Sequence, residues 1–194
     1  MRGGAVETRE RILDAVVAIT AERGLDQVSI REVASMAGVS IGTVQYYCRT
    51  KDDMLLLAMN HVNDRLVRRI DALEPAHNAV DRLCDVLRQW LPLDAERATD
   101  ARVWLAFAAR AVVNPRLGEV EAATTLQLRA DIAGLLERGK ASGDVAPTVD
   151  SELQALTVLA VLDGLTIQLL HEPPSLTREQ ALAALDALVN RSLI

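Results

Sequence analysis

The stretch VSIREVASMAGVSIGTVQYYCRTKDDM, residues 28–54, predicts two short helices joined by Gly38-Val39-Ser40. Ser29-Ile-Arg-Glu32 has the S-x-x-E spacing of a capping box, in which the Ser hydroxyl accepts a backbone N–H and the Glu carboxylate reaches back to the cap. The first helix then runs through Ala37 and stops at Gly38, a residue suited to a left-handed cap; Ser40 caps a second helix over 41–47. Val39 is an apolar plug between the helices, and Ala34 is small enough for the second to cross closely. This is the spacing of a helix-turn-helix, whose second helix lies in a major groove with its N-terminal half near base edges. An ordinary αα-corner shares the same bare pattern.

Working outward, Ile12, Leu13, Val16, Val17 and Ile19 recur at helical spacing ahead of the motif, and Gly24 closes that first helix. After it, Thr50 caps a long helix through Met54, Leu55, Ala58, Val62, Leu66 and Ile70, ending near Pro75. Pro75, Pro92 and Pro115 each stand near the start of a following segment, predicting helices over 76–91, 94–113 and 115–141. Two more follow over about 149–171 and 177–192, divided by Pro173-Pro174 and capped at Thr177. The expected fold is all-α with nine helices: a helix-turn-helix domain over residues 1–50 and a larger helical domain over 51–194.

Composition agrees. Of 194 residues half are apolar, but as Ala, Leu and Val with one Phe, so helix formers dominate and sheet is not expected. The net charge of −6 is awkward for a DNA-binding protein, yet residues 1–51 hold seven Lys/Arg against six Asp/Glu, and the deficit lies beyond them. Distant charges are screened over about 8–10 Å at physiological salt, so a local positive face remains effective. Cys48 and Cys84 lack metal-type spacing and read as free thiols of a reducing cytoplasm. The apolar stretch Leu153–Leu170 is interrupted by Gln154, Thr157, Asp163 and Gln168, which reads as a buried helix and not a membrane span.

The 28–54 segment, continuing back through Gly24-Leu25 into the first helix, resembles the TetR family of transcriptional regulators. The resemblance implies that Ser40, Thr43, Tyr47 and Lys51 hold phosphates and that Arg31, Ile41, Gln45 and Tyr46 lie nearer base edges, with Ser29 and Gly42 completing the surface. The chemistry is consistent: Gln bonds adenine, Arg prefers guanine, Ile meets a thymine methyl, and a Lys at a helix start faces phosphate. Tyr46 and Tyr47 point about 100° apart on a helix, so at least one faces outward. The family often has Tyr where this chain has Gln45, and an aromatic where it has Cys48. At Cys48 both a small buried hydrophobe and a redox-active thiol fit the position.

In the larger domain, Leu153, Leu156, Ala160 and Ile167 form one apolar stripe and Val158, Leu162, Leu165 and Leu169 another, so this helix needs cover on both sides. Ala181, Leu182, Leu185 and Leu188 give the last helix a stripe too. A homodimer through a four-helix interface is therefore expected, using Leu153, Leu156, Ala160, Gly164, Ile167, Ala181, Leu185 and Leu188. Asp163 stands on or beside the first stripe, either paired at the interface or exposed at its edge. Segments 103–117 (VWLAFAARAVVNPRL) and 161–170 (VLDGLTIQLL) resemble a TetR subgroup with a BetI-type C-terminal domain. That implies a small-molecule effector, for which Cys84, Trp90, Trp104, Phe107, Arg110 and Gln127 are candidate contacts; the aromatics also serve as plain core. Arg110, amid Ala and Val, needs an acidic partner from the protein or a ligand, or else it snorkels to the surface.

The three histidines are scattered, and no nucleophile elbow, Walker loop or dinucleotide fingerprint occurs, so no catalytic residue, cofactor or metal site is expected. The expected function is a cytoplasmic, dimeric repressor released from a palindromic DNA operator by an effector. A helical small-molecule carrier without DNA binding, a transcriptional activator and a helical enzyme are the rivals.

Overall fold

A computed structural model of the chain describes residues 2–171, 173 and 175–193. Nine α-helices occur among them: α1 Arg2–Arg23, α2 Ile30–Ala37, α3 Ile41–Tyr47, α4 Lys51–Asp71, α5 Ala79–Arg88, α6 Ala95–Ala111, α7 Pro115–Ser142, α8 Ser151–Leu170 and α9 Arg178–Leu193. A 3-10 turn at Leu25–Gln27 is the only other helical element, and the described residues contain no strand.

Helix ends follow local chemistry. Gly24 ends α1 with φ 81° and ψ 163°, a region essentially closed to residues with a side chain. Pro115 opens α7, as its lack of an N–H favours. Asp150 caps α8 by accepting from Leu153 N at 3.1 Å. Thr177 and Gln180 cap α9 reciprocally, each side chain accepting from the other's backbone N–H. Pro174 lies outside the described residues. Two expected boundaries shift. The helix expected to reach Pro75 stops at Asp71, and the one expected over 76–91 is only Ala79–Arg88. There Asn78, extended at φ −150°, caps the helix through Asp81 N at 2.8 Å, leaving Pro75 in the lead-in. At the other end Gln89 N and Trp90 N fold into tight i−3 bonds before Pro92 ends the run.

The helices divide into two compact units. The first comprises residues 1–65 with 99–119, the second 66–98 with 120–194. The expected boundary at residue 50 thus falls inside the first unit. The reason is packing: Met54, Ala58 and Val62 of α4 and Val103 of α6 are buried in one cluster with Ile12, Val16, Ile19, Val33 and Val44. A buried ion pair, Arg65 Nη2 to Asp100 Oδ1 at 3.0 Å, ties α4 to α6 within that unit.

The second unit has its own core of Leu83, Leu87, Leu91, Leu136, Val158, Leu162, Leu185 and Val189. Among the described residues α8 is the one helix long and apolar enough to cross a membrane by length and composition. Its apolar positions separate into two faces. Ala155, Val158, Leu159, Leu162 and Leu165 are buried, whereas Leu153 is 61% and Leu156 43% exposed, with Ala160 and Asp163 exposed beside them. Gly164 faces open space: a Cβ built there would meet nothing within 4 Å. On α9 the expected interface residues Ala181 and Leu185 are corrected to core positions, since neither has exposed surface, and Leu188 is half-buried against the same core. Ala181 and Leu185 face the protomer's own α5 and α8, which leaves those two no surface for a partner.

Candidate nucleic-acid interface

The first unit sets α3 on a short, fixed connection. Ser29 Oγ accepts from Glu32 N at 3.2 Å and starts α2. The Glu32 carboxylate, expected to reach back to the cap, instead pairs with Arg23 Nη1 at 2.7 Å, where a full positive charge is the stronger partner. Gly38 takes the left-handed conformation at φ 63°, and Val39 N returns to Ala34 O at 3.0 Å. Ser40 Oγ then accepts from Thr43 N at 3.0 Å and shares a hydrogen bond with the Thr43 hydroxyl at 2.8 Å.

With that entry fixed, α3 turns Val44 inward with no exposed surface, and the residue that ends it, Cys48, is buried as well. Outward go Ser40, Ile41, Gly42, Gln45 and Tyr46, the last 83% exposed. Arg31 on α2 and Lys51 at the start of α4 are exposed too. Tyr47 is half-buried against the core, and its ring meets that of Tyr46 edge-on at 5.1 Å, so the outward tyrosine is Tyr46. Thr43 is half-buried, its hydroxyl held by Ser40. At Gly42 an added Cβ would meet only Ser40 Oγ, at 3.8 Å. Nothing in the protein demands glycine there; it leaves the first turn of α3 bare.

Lys51 Nζ donates to the backbone carbonyl of Asp26 at 2.6 Å. A carbonyl orients the ammonium without cancelling its charge. Behind it, Thr50 and Asp53 cap α4 reciprocally: Asp53 N donates to Thr50 Oγ1 at 3.0 Å, and Thr50 N to Asp53 Oδ2 at 3.2 Å. These bonds, with Arg116 Nη1 at 3.0 Å from Asp53 Oδ1, hold the Asp53 carboxyl below the usual range. Arg110 grips Asp52 with two nitrogens, Nε at 2.9 Å and Nη2 at 3.3 Å, and Asn114 Nδ2 adds a third bond at 2.7 Å. The Arg110 bonds are the main reason that the Asp52 carboxyl also lies low. The corner between α6 and α7 thus clasps the first turn of α4, a constellation that sequence reasoning missed because its partners are 58 to 63 residues apart.

Cys48 is buried, and its thiol makes only a weak bond to Val44 O at 3.5 Å. Burial, then the Asp53 charge, pushes the thiol up to about 11. Such a thiol is not a nucleophile at neutral pH, so the position is a small hydrophobe.

The six candidate effector contacts are divided between the two units. Trp104, Phe107 and Arg110 belong to the first unit, and Cys84, Trp90 and Gln127 to the second. Two are corrected. Arg110 is exposed and satisfied by Asp52, and Gln127 is exposed and bonded to Asp131 one turn along at 2.9 Å. Phe107 and Cys84 are buried, while Trp90 and Trp104 are half-buried. In the second unit an open groove of about 480 Å³ lies beside Ala130, Gly134, Glu137, Lys140, Val149 and Asp150, and Cys84, Trp90 and Gln127 are not among its lining residues.

Residues 12–58 match the model for bacterial regulatory proteins of the tetR family, and residues 79–193 that for the C-terminal region of BetI-type transcriptional repressors. The chain is 25% identical to the HTH-type transcriptional regulator BetI of Serratia proteamaculans, over 90% of this chain and 87% of that protein. A transcriptional regulator from Rhodococcus sp. RHA1 has the same architecture with a TM-score of 0.83, 33% identity and 95% of each chain covered. A regulator from Saccharomonospora viridis, solved in complex with choline, superposes with a TM-score of 0.76 at 26% identity, covering 96% of this chain and 95% of that one.

Proposed function

The chain belongs to the TetR family, with a BetI-type C-terminal region, and is a DNA-binding transcriptional regulator; on that premise we propose that it is a cytoplasmic, homodimeric repressor that leaves a palindromic operator when a small molecule binds. One observation carries the DNA reading. A seven-residue helix, capped at Ser40 and seated on Val44, presents Ile41, Gln45 and Tyr46 on a single outward face beside Lys51.

On this reading the side chains divide by chemistry. Gln45 offers a donor and an acceptor to an adenine edge, Ile41 a methyl contact to thymine, and Arg31 a fork to guanine. Ser40, Thr43, Tyr47 and Lys51 hold the phosphates on either side, and Ser29 and Gly42 border them. Residues 1–50, with Lys51 at the first position beyond them, carry these contacts, and residues 51–194 supply dimerisation and effector binding.

The dimer reading rests on α8. Its exposed Leu153, Leu156 and Ala160, with Gly164 open to space and Ile167 half-buried, make an apolar face long enough to need a cover. A second copy, turned about a two-fold axis, offers the same face in return. Two recognition helices then read half-sites about 34–36 Å apart, and a shift of a few ångströms breaks that register. Release requires an effector that binds the DNA-free state more tightly than the bound one. Trp90, half-buried in the second unit, is a proposed contact.

The test is an electrophoretic shift with duplexes tiling the DNA upstream of the chain's own gene. The repressor reading expects one palindromic fragment to shift at nanomolar dimer. No shift with any fragment at low salt and micromolar protein would leave a helical carrier instead.

A further inference from the structure

The turn between α2 and α3 is held by a residue from outside the motif. Arg11, on α1, donates from Nη2 to the carbonyl of Ala37 and to that of Gly38, the latter at 3.1 Å. These are the last carbonyls of α2, which have no following helical N–H to bond and carry the negative end of its dipole. The guanidinium therefore caps α2 from 26 and 27 residues away in sequence. Among the described residues no carboxylate pairs with Arg11.

Gly38 is bound to this contact. A Cβ built on it would lie 2.7 Å from Arg11 Nη2, so the space a side chain needs is already filled by the guanidinium. The positive φ requires the glycine, and a side chain added there would also push the guanidinium off its carbonyls. What depends on the turn is the pose of α3. That helix has seven residues and a single fully buried side chain, Val44, so its own packing fixes its orientation only weakly. Arg11 itself is exposed, whereas its neighbours Ile12 and Leu13 are deep in the core. The hydrophobic face of α1 holds the unit together, and Arg11 adds a directional constraint on one turn.

We propose that Arg11 is a positioning residue for operator recognition: without touching DNA, it fixes the turn that sets the angle of the recognition helix. The inference rests on the DNA-binding reading above. It is distinct from a phosphate contact, which an exposed arginine next to a DNA-binding helix would otherwise suggest.

The experiment compares wild type, Arg11→Ala and Arg11→Lys by fluorescence anisotropy, on a duplex selected by the wild-type protein and on its scrambled counterpart. Temperature is kept well below each melting point, and the salt concentration is varied. Arg11→Ala is expected to lose about two- to five-fold in affinity for the selected duplex, the range of an exposed helix-terminus charge interaction. Its affinity for scrambled DNA and its salt slope should stay as in wild type, and Arg11→Lys should recover part of the loss. A slope smaller by about one unit would make Arg11 a phosphate contact and overturn the proposal. Unchanged operator affinity would overturn it as well, and equal losses on both duplexes would reduce Arg11 to a stability role. If Arg11→Ala melts too low to be measured, Arg11→Gln keeps the stem and one donor and is read by the same criteria. Failure of the wild type to bind any duplex is a different result, and it strikes the DNA reading alone.

Discussion

Helices α3 and α8 each leave one face to solvent, and the two faces are opposite in kind. That of α3 is short and mixed: Ile41, Gln45 and Tyr46, flanked by the hydroxyl of Ser40 and the charge of Lys51. That of α8 belongs to a 20-residue helix and offers Leu153, Leu156 and Ala160, with Glu152 and Asp163 along one edge. The first can exchange water for hydrogen bonds and phosphate charge, so it suits a polar partner taken up and released. The second gains only by staying dry, so it suits a permanent cover. A ligand-responsive regulator needs both, one contact that persists and one that is surrendered.

The strongest way to break this contrast is Leu156→Asp. A charge in the middle of the α8 face should convert the dimer to monomer by light scattering and abolish tight operator binding with it; a surviving dimer would place the interface on another face. Next comes Gln45→Ala, expected to cost about 1–3 kcal/mol at the matching base pair and to relax preference there, read by selection from randomised half-sites. Lys51→Ala should instead weaken binding to all sequences alike and lower the salt slope by about one unit. Gly42→Ala separates fold from grip. With room for a methyl group and no positive φ, it should raise thermal stability by up to ~1 kcal/mol while weakening operator affinity. A rise in both would show that DNA does not approach this turn.

The smallest effect concerns Asp163. Partial desolvation of its carboxyl, and then the charge of Glu121 on α7, pushes it up to about 6, although much of the residue's surface stays open. An aspartate raised above its unfolded value of about 3.9 is protonated first in the folded state. The stability it brings is therefore present at low pH and is lost as pH rises from about 4 through about 6. Thermal stability should therefore carry a small component that falls between about pH 4 and pH 7, read as a melting temperature at fixed salt. Asp163→Asn should remove that component; an unaltered profile would show that the carboxyl is not desolvated in the folded chain.

The same two helices show what was legible in the sequence. Around α3 the determinants are local: Ser29, Gly38, Ser40 and Thr50 each act on a backbone group within a few residues, so capping chemistry alone located three helix starts and the turn. The two stripes of α8 were readable for the same reason, since 3.6-residue periodicity is local. Which neighbour covers a stripe is not. Ala181 and Leu185 form as good an apolar row as Leu153 and Leu156, yet their own α5 and α8 absorb it. Arg110 shows the same limit in charge: its setting revealed a cation in need of a partner, but Asp52 lies 58 residues earlier. Arg11 gave no signal at all, because its partners are backbone carbonyls, which every residue possesses.

The cysteine beneath the recognition helix has a practical consequence. With its thiol pushed up to about 11, roughly one Cys48 in ten thousand is ionised at pH 7, and the folded chain shields even that fraction. Thiol reagents therefore reach it only when α3 lifts away from the core. The rate of Cys48 labelling becomes a native clock for the detachment of this helix, and bound operator should slow it without any dye or mutation being introduced near the DNA.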